Sequence, residues 1–408
     1  MNTLRSFSLL AVSALFSCQA FATSELYVWE ETDNKSLGIL EAVADFERLY
    51  DCKVKIVEVD FTEQMEKFNH EGIIGNGPDI LLCPSDKVGA AVVQGMIAPI
   101  SFMQEDQDKY IRSAVTAFSQ NGEIYGVPKV VETLVMYYNK DYLKEPFDTL
   151  EEYFEYSNKV ISEGNGQYGL IAKWDNLYYY FGAIEPYGAY VFGIDSDGNV
   201  DAADVGLSNS GAIEGMTMIK KFYSSGVFPK ETLGESGINV ITNMFCTGKA
   251  VAVIDGPWRL EPFAKAGINF GVTPLPVLPN GKPMSSFLGV KGYVISSYCK
   301  DRELAEKYLQ FINQPKYAKR RYETTLEIPP VKAVMADPVI TNDETANAVA
   351  VQASRAVPIP SIPEMSEVWG PIDQACSEII SGKKSVKDGL KSATEHINYQ
   401  IEAFRAGM

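Results

Sequence analysis

Histidine is almost missing from this chain: His70 and His396 are the only two in 408 residues. Cysteine is scarce too, with six, and no Cys-x-x-C spacing occurs. Together these shortages leave no ligand set for a zinc ion. The turn 195–199 has some of the oxygen spacing of a calcium loop but no closing glutamate, so no metal is expected there either. No Gly-x-Ser-x-Gly turn is present, which removes the usual hydrolase nucleophile. Beyond residue 22 no apolar run is long enough to span a bilayer as a helix. Positive charge also falls short, with 36 Lys and Arg against 53 Asp and Glu and a formal net charge of -17. A nucleic-acid backbone rewards the opposite sign, so no nucleic-acid partner is expected. Repeats and low-complexity tracts are absent, and 46% hydrophobic with 22% charged residues is the balance of an ordinary folded protein.

Residues 1–22 carry one charge, Arg5, then a short apolar core and the small-x-small site Ala20-Phe21-Ala22. That pattern is a secretory signal, so the mature chain is expected outside the cytoplasm, in the periplasm if the family resemblance given below holds. Leu15-Phe16-Ser17-Cys18 loosely matches a lipoprotein box, so anchoring at Cys18 to the outer face of the membrane stays open. Five cysteines follow the signal, an odd number, and buried or half-buried thiols are expected, with room for one disulfide of unassigned partners. The remaining length exceeds what one core serves, so two domains are expected.

The central stretch is 248–258, Gly-Lys-Ala-Val-Ala-Val-Ile-Asp-Gly-Pro-Trp. Its run of small and branched apolar residues reads as a strand buried on both faces. Asp255-Gly256-Pro257 ends that strand, and Trp258 follows at the carboxyl edge, where open α/β sheets hold ligands. Elsewhere, strands are expected near 25–30, 54–59, 80–82, 134–139 and 288–296. Helices are expected near 37–49, 61–70, 88–94, 149–161, 212–223, 237–246, 302–311, 343–353, 373–380 and 386–401. The opening βαβαβ order implies an α/β domain with parallel strands. Seven aromatic residues crowd 174–190, more than one helix face needs to bury.

Tyr27-Val28-Trp29, Gly77-Pro78-Asp79-Ile80, Tyr138-Asn139-Lys140-Asp141, Asp255-Gly256-Pro257-Trp258 and Ile362-Pro363-Glu364-Met365-Ser366 with Trp369 follow one another in an order and spacing that resemble the periplasmic maltose/maltodextrin-binding proteins. These are the sugar-capturing components of ABC importers. The resemblance covers essentially all of the mature chain and implies an α/β, two-lobed periplasmic-binding-protein fold. Each lobe is then a mixed sheet flanked by helices, joined by several hinge crossovers, with lobes at 23–132 plus 288–327 and 133–287 plus 328–408. It implies a monomer that binds a neutral sugar, docks on a membrane permease, and needs no cofactor and no catalytic residue.

Carried onto matching positions, the resemblance places Trp258, Trp369 and Tyr178 against sugar faces, with Asp86, Glu132 and Lys87 at hydroxyls. Asp33 and Asn34 would reach the sugar from the first lobe, and Asn176 or its neighbour Asp175 from the second. Each aromatic has core packing as its competing role, and Asp86 has helix capping. Glu132 lies in a valine-rich strand, where an unpaired carboxylate is costly. Departures from the pattern are Cys83 for a tryptophan, Lys87 for an arginine, Asn176 for a glutamate, Asn34 for a lysine and Asp373 for an arginine. They leave the exact sugar open among α-glucosides and other di- or oligosaccharides. A secreted glycoside hydrolase using Asp86, Glu132 and Asp175 is the rival class. An amino-acid binder would need an arginine in the cleft, and the sequence assigns none.

Overall fold

The computed structural model describes residues 24–32, 34–195 and 200–407. The signal segment with Cys18, Asp33 and positions 196–199 of the expected calcium-like turn lie outside the described residues.

Three parallel strands open the chain: β1 (Glu25–Glu30), β2 (Lys53–Glu58) and β3 (Ile80–Pro84), with β1 in the middle. Helices α1 (Leu40–Tyr50) and α2 (Phe61–Glu71) make the crossovers, as the 3.6-residue spacing of apolar side chains predicts. β4 (Val127–Glu132) follows a hairpin whose turn, Asn121-Gly122, takes positive φ at both residues, the geometry that matches strand twist.

From the end of β4 the chain passes into a second sheet through Thr133 and Leu134. That sheet is built from β5 (Val135–Asn139), β6 (Tyr168–Ala172), β7 (Ala250–Asp255) and β8 (Phe270–Thr273), in the order β8-β5-β7-β6. Every residue of β7 is buried, and it runs antiparallel to β5 but parallel to β6. The sheet is therefore mixed, and the central stretch lies within it. β9 (Phe287–Ser296) returns to the first sheet and pairs antiparallel with both β3 and β4. The two crossings are tied together, because Thr133 Oγ1 donates to the Phe287 carbonyl at 3.0 Å.

Around these sheets the helices follow local rules. α3 (Leu150–Ser162) starts with a full capping box: Thr149 Oγ1 accepts from the Glu152 amide at 3.2 Å, and Glu152 accepts from the Thr149 amide at 2.9 Å. α4 (Leu177–Ile184) comes from the aromatic-rich stretch. Trp174, ahead of it, is fully buried against Phe222 and Phe228. α5 (Pro315–Thr325) escapes the periodicity analysis, because its buried face is Tyr317, Ala318, Arg321 and Tyr322 rather than aliphatic residues. α6 (Trp369–Ile380) begins four residues before the expected helix start at Asp373. The strand β6 had no clear sequence signal. Among the described residues all five cysteines are free, so the disulfide left open does not form. No helix among them is long and apolar enough to cross a membrane.

Candidate functional site

Between the two sheets lies a cavity of about 750 Å³ lined from both sides. One wall is aromatic: Tyr178 and Tyr179 at the start of α4, Trp258 after β7, and Trp369 at the start of α6. Trp258 and Tyr178 stand 6.1 Å apart between ring centroids, tilted by 47°. Phe287, fully buried, sits behind both arms of this wall, 6.2 Å from Tyr178 and 5.9 Å from Trp369, and stacks on Phe181 at 3.9 Å. These contacts hold the rings without covering them, since Tyr178, Trp258 and Trp369 remain partly exposed. Gly256 is required here: a Cβ at that position would come within 2.1 Å of the Trp258 ring.

The facing wall is polar. Asp60, Thr62, Asp86 and Lys87 line it, together with Phe61 and Glu31. Burial pushes the Asp86 carboxyl up, while Lys87, at 4.0 Å, and the neighbouring Trp369 indole pull the other way. At the floor, Glu132 ends β4 and meets Lys291 of β9 at 2.9 Å, and Lys291 also meets Glu31 at 3.0 Å. Burial pulls the Lys291 ammonium down, but Glu132 and Glu31 outweigh it and its net shift is up. Glu132 is pushed up by burial, which Lys291 only partly offsets while Glu31 adds to the rise. Lys291 rises because two carboxylates share it, and Glu132 rises because burial outweighs that one cation.

Trp258, Trp369, Tyr178, Glu132, Asp86, Lys87 and Asn176 therefore meet around one opening. Two of the expected residues do not join them. Asp175 is buried and turned away, accepting from Lys173 Nζ and from the Gly234 amide at 2.7 Å, so it anchors a loop. Asn34 is exposed and donates to Glu261 at 3.3 Å, outside the cavity. Asp33 lies outside the described residues. Cys83 is fully buried, its thiol donating to the Pro84 carbonyl at 3.3 Å, and offers no surface where the maltodextrin binders have a ring.

Sequence reasoning missed Lys291, Phe287, Tyr179 and Arg259. Lys291 carried the same signal as Glu132, a charge inside an apolar strand. Arg259 corrects the expectation that the cleft holds no arginine, since it lines the cavity. Its Nε donates to the fully buried Asp255 at 3.0 Å, so a carboxylate of the protein already balances its charge.

Asp373 accepts from Asn176 Nδ2 and from the Leu177 amide, both at 2.6 Å, and so caps α4 and orients the Asn176 amide. Burial raises its carboxyl to about 6, more than those two bonds lower it. A folded value above the unfolded one means that this group favours the fold at low pH, and that its contribution is lost as pH rises through about 6. Asp373→Asn is expected to flatten the fall in thermal midpoint between about pH 4 and about pH 7. Parallel profiles for the two proteins would contradict the assignment.

The sequence matches the family described as bacterial extracellular solute-binding protein over residues 41–348. It is 43% identical over 386 residues to the galactooligosaccharide-binding protein of Bacillus subtilis, covering 94% of this chain and 91% of that one. It is 36% identical over 364 residues to the maltodextrin-binding protein MdxE of the same organism, covering 88% and 85%. Among solved structures it is similar to MalX from Streptococcus pneumoniae in complex with maltopentaose, with a TM-score of 0.84 and 33% identity over 92% of this chain and 100% of that one. The two-sheet architecture is the two-lobed fold of these neighbours. The chain belongs to the bacterial extracellular solute-binding protein family.

Proposed function

We propose that this protein captures a neutral di- or oligosaccharide in the cleft and delivers it to the permease of an ABC importer, making and breaking no bond. The observation that carries this reading is the meeting of Trp258 and Trp369 with Asp86 and Glu132 around one opening. Flat rings suit the C–H faces of a sugar, and carboxylates suit its hydroxyl rim. Each charge-assisted bond contributes about 1.5–3 kcal/mol where water is excluded. The carboxylates support binding rather than hydrolysis, because Glu132 is held by Lys291 and Asp86 stands beside Lys87.

The lobes are 23–132 plus 288–327 and 133–287 plus 328–408, and a ligand touching both favours their closed arrangement. The protein acts outside the cytoplasm as a monomer, after removal of residues 1–22 or anchored at Cys18. A maltodextrin is the first ligand to consider, as for the relatives whose names carry it. A galactooligosaccharide is the second, favoured by the relative at 43% identity and by the shortage of aromatic surface on the first-sheet wall. There Phe61 is capped by the Lys291 ammonium 4.7 Å from its centroid. Calorimetric titration with maltose, maltotriose, a cyclodextrin and galactooligosaccharides is the test. Saturable one-to-one binding of one series is expected, and no binding of any would reject the reading.

A further inference from the structure

We propose that Lys291 is a specificity-determining residue of this cleft, donating to a sugar oxygen while holding two carboxylates ready as acceptors, and that it ties the ligand to the strands crossing between the lobes. The inference rests on the sugar-binding reading above.

Lys291 is 5% exposed yet lines the cavity. Its ammonium has three N–H groups. Glu31 takes it at 3.0 and 3.2 Å and Glu132 at 2.9 Å, while the Phe61 ring face, 4.7 Å away, is only a weak partner. The two Glu31 oxygens belong to one carboxylate and can share a single N–H, which leaves one N–H for a ligand on a floor that otherwise presents acceptors. An oxygen of a glycoside, from ring, linkage or hydroxyl, is a suitable partner. Removal of the cation would leave Glu31 and Glu132 facing each other in a buried setting, and one would take a proton and lose its charge-assisted accepting strength.

The position also carries mechanical meaning. Glu31 follows β1, Glu132 is the last residue before the first crossing, and Lys291 lies midway along the returning strand β9. Three segments that must keep their relative placement thus meet on one nitrogen. The β4–β9 ladder shifts register between Lys291 and Gly292, leaving Lys129 as the extra residue of a bulge. Such irregularities re-aim side chains near sites. Other charges facing this group are Glu327, just before the third expected crossing, and Asp60, Asp86 and Lys87 across the cavity. Tyr178 faces it as an uncharged phenol, its ionisation pushed well up by burial.

The test is titration of wild type, Lys291→Met, Lys291→Arg and the pair Lys291→Met/Glu132→Gln with the oligosaccharide that wild type binds, at several pH values. Lys291→Met is expected to weaken binding by about tenfold or more at pH 7, and its affinity should rise with pH as the carboxylates lose their shared proton. Wild type should rise less over the same range, and Lys291→Arg should recover part of the loss. The double variant, which removes both charges and keeps the fold if the single change does not, should bind weakly without the pH slope. Wild-type affinity and pH profile in folded Lys291→Met or in the double variant would overturn the inference and leave the sugar reading standing. A wild type that binds no oligosaccharide would remove the reading itself, and this inference with it.

Discussion

Trp258→Ala is expected to weaken oligosaccharide binding by about 30-fold or more while leaving the far-UV spectrum unchanged, the loss typical of an aromatic hot spot. The reason lies in how the ring is held. It lies back on Gly256, stands 6.1 Å from Tyr178, and is partly exposed to the cavity. Truncation removes a face offered to the ligand rather than filling volume from a core, so binding should suffer far more than stability. Calorimetry and circular dichroism on one preparation separate the two. Unfolding of the variant would mean that Trp258 is chiefly a packing residue. Retained affinity would mean that no sugar face rests there.

Lys129→Met is expected to do the reverse and cost stability, by about 3–5 kcal/mol, the range for removing one partner from a buried ion pair. Lys129 is fully buried, 2.7 Å from Glu30 and 3.4 Å from Glu327, both also buried. Methionine keeps most of the volume but leaves two carboxylates without their shared cation. Glu327 is pushed up by burial, but Lys129, Lys291, Lys35 and Arg321 outweigh this and lower it to about 2. A folded value below the unfolded one gives stability that is present above the unfolded value and is lost as pH falls toward about 2. Urea unfolding should therefore show a large loss at neutral pH and a shallower acid slope in the variant. Adding Glu30→Gln should restore part of the loss, and an unchanged midpoint would contradict this account of the buried cluster.

How far the sequence can be read depends on whether a residue's role is local. The buried strand β7, the helix start at 149 and the turn that presents Trp258 are set by neighbours in the chain, and each is legible. Pairing of Glu132 was legible as a need, because a carboxylate among valines demands a partner. The partner, Lys291, lies 159 positions away and is brought in by the return of β9. Asp175 and Asn176 show the opposite limit. They are adjacent, yet only Asn176, at the N-cap of α4, lines the cavity, while Asp175 turns back to Lys173. One residue of slip decides which faces ligand, and local pattern does not resolve it. α5 went unread because its buried face uses tyrosine and arginine, which hydrophobic periodicity does not count.

The central claim is that sugar rests against the rings of one shared cleft, and the chain's four tryptophans divide cleanly for testing it. Trp29 and Trp174 are fully buried, whereas Trp258 and Trp369 line the cavity. Indole N–H resonances followed by NMR during titration with the bound oligosaccharide should shift for Trp258 and Trp369 and stay in place for Trp29 and Trp174. Shifts confined to the buried pair, or no indole shift at saturation, would contradict the account.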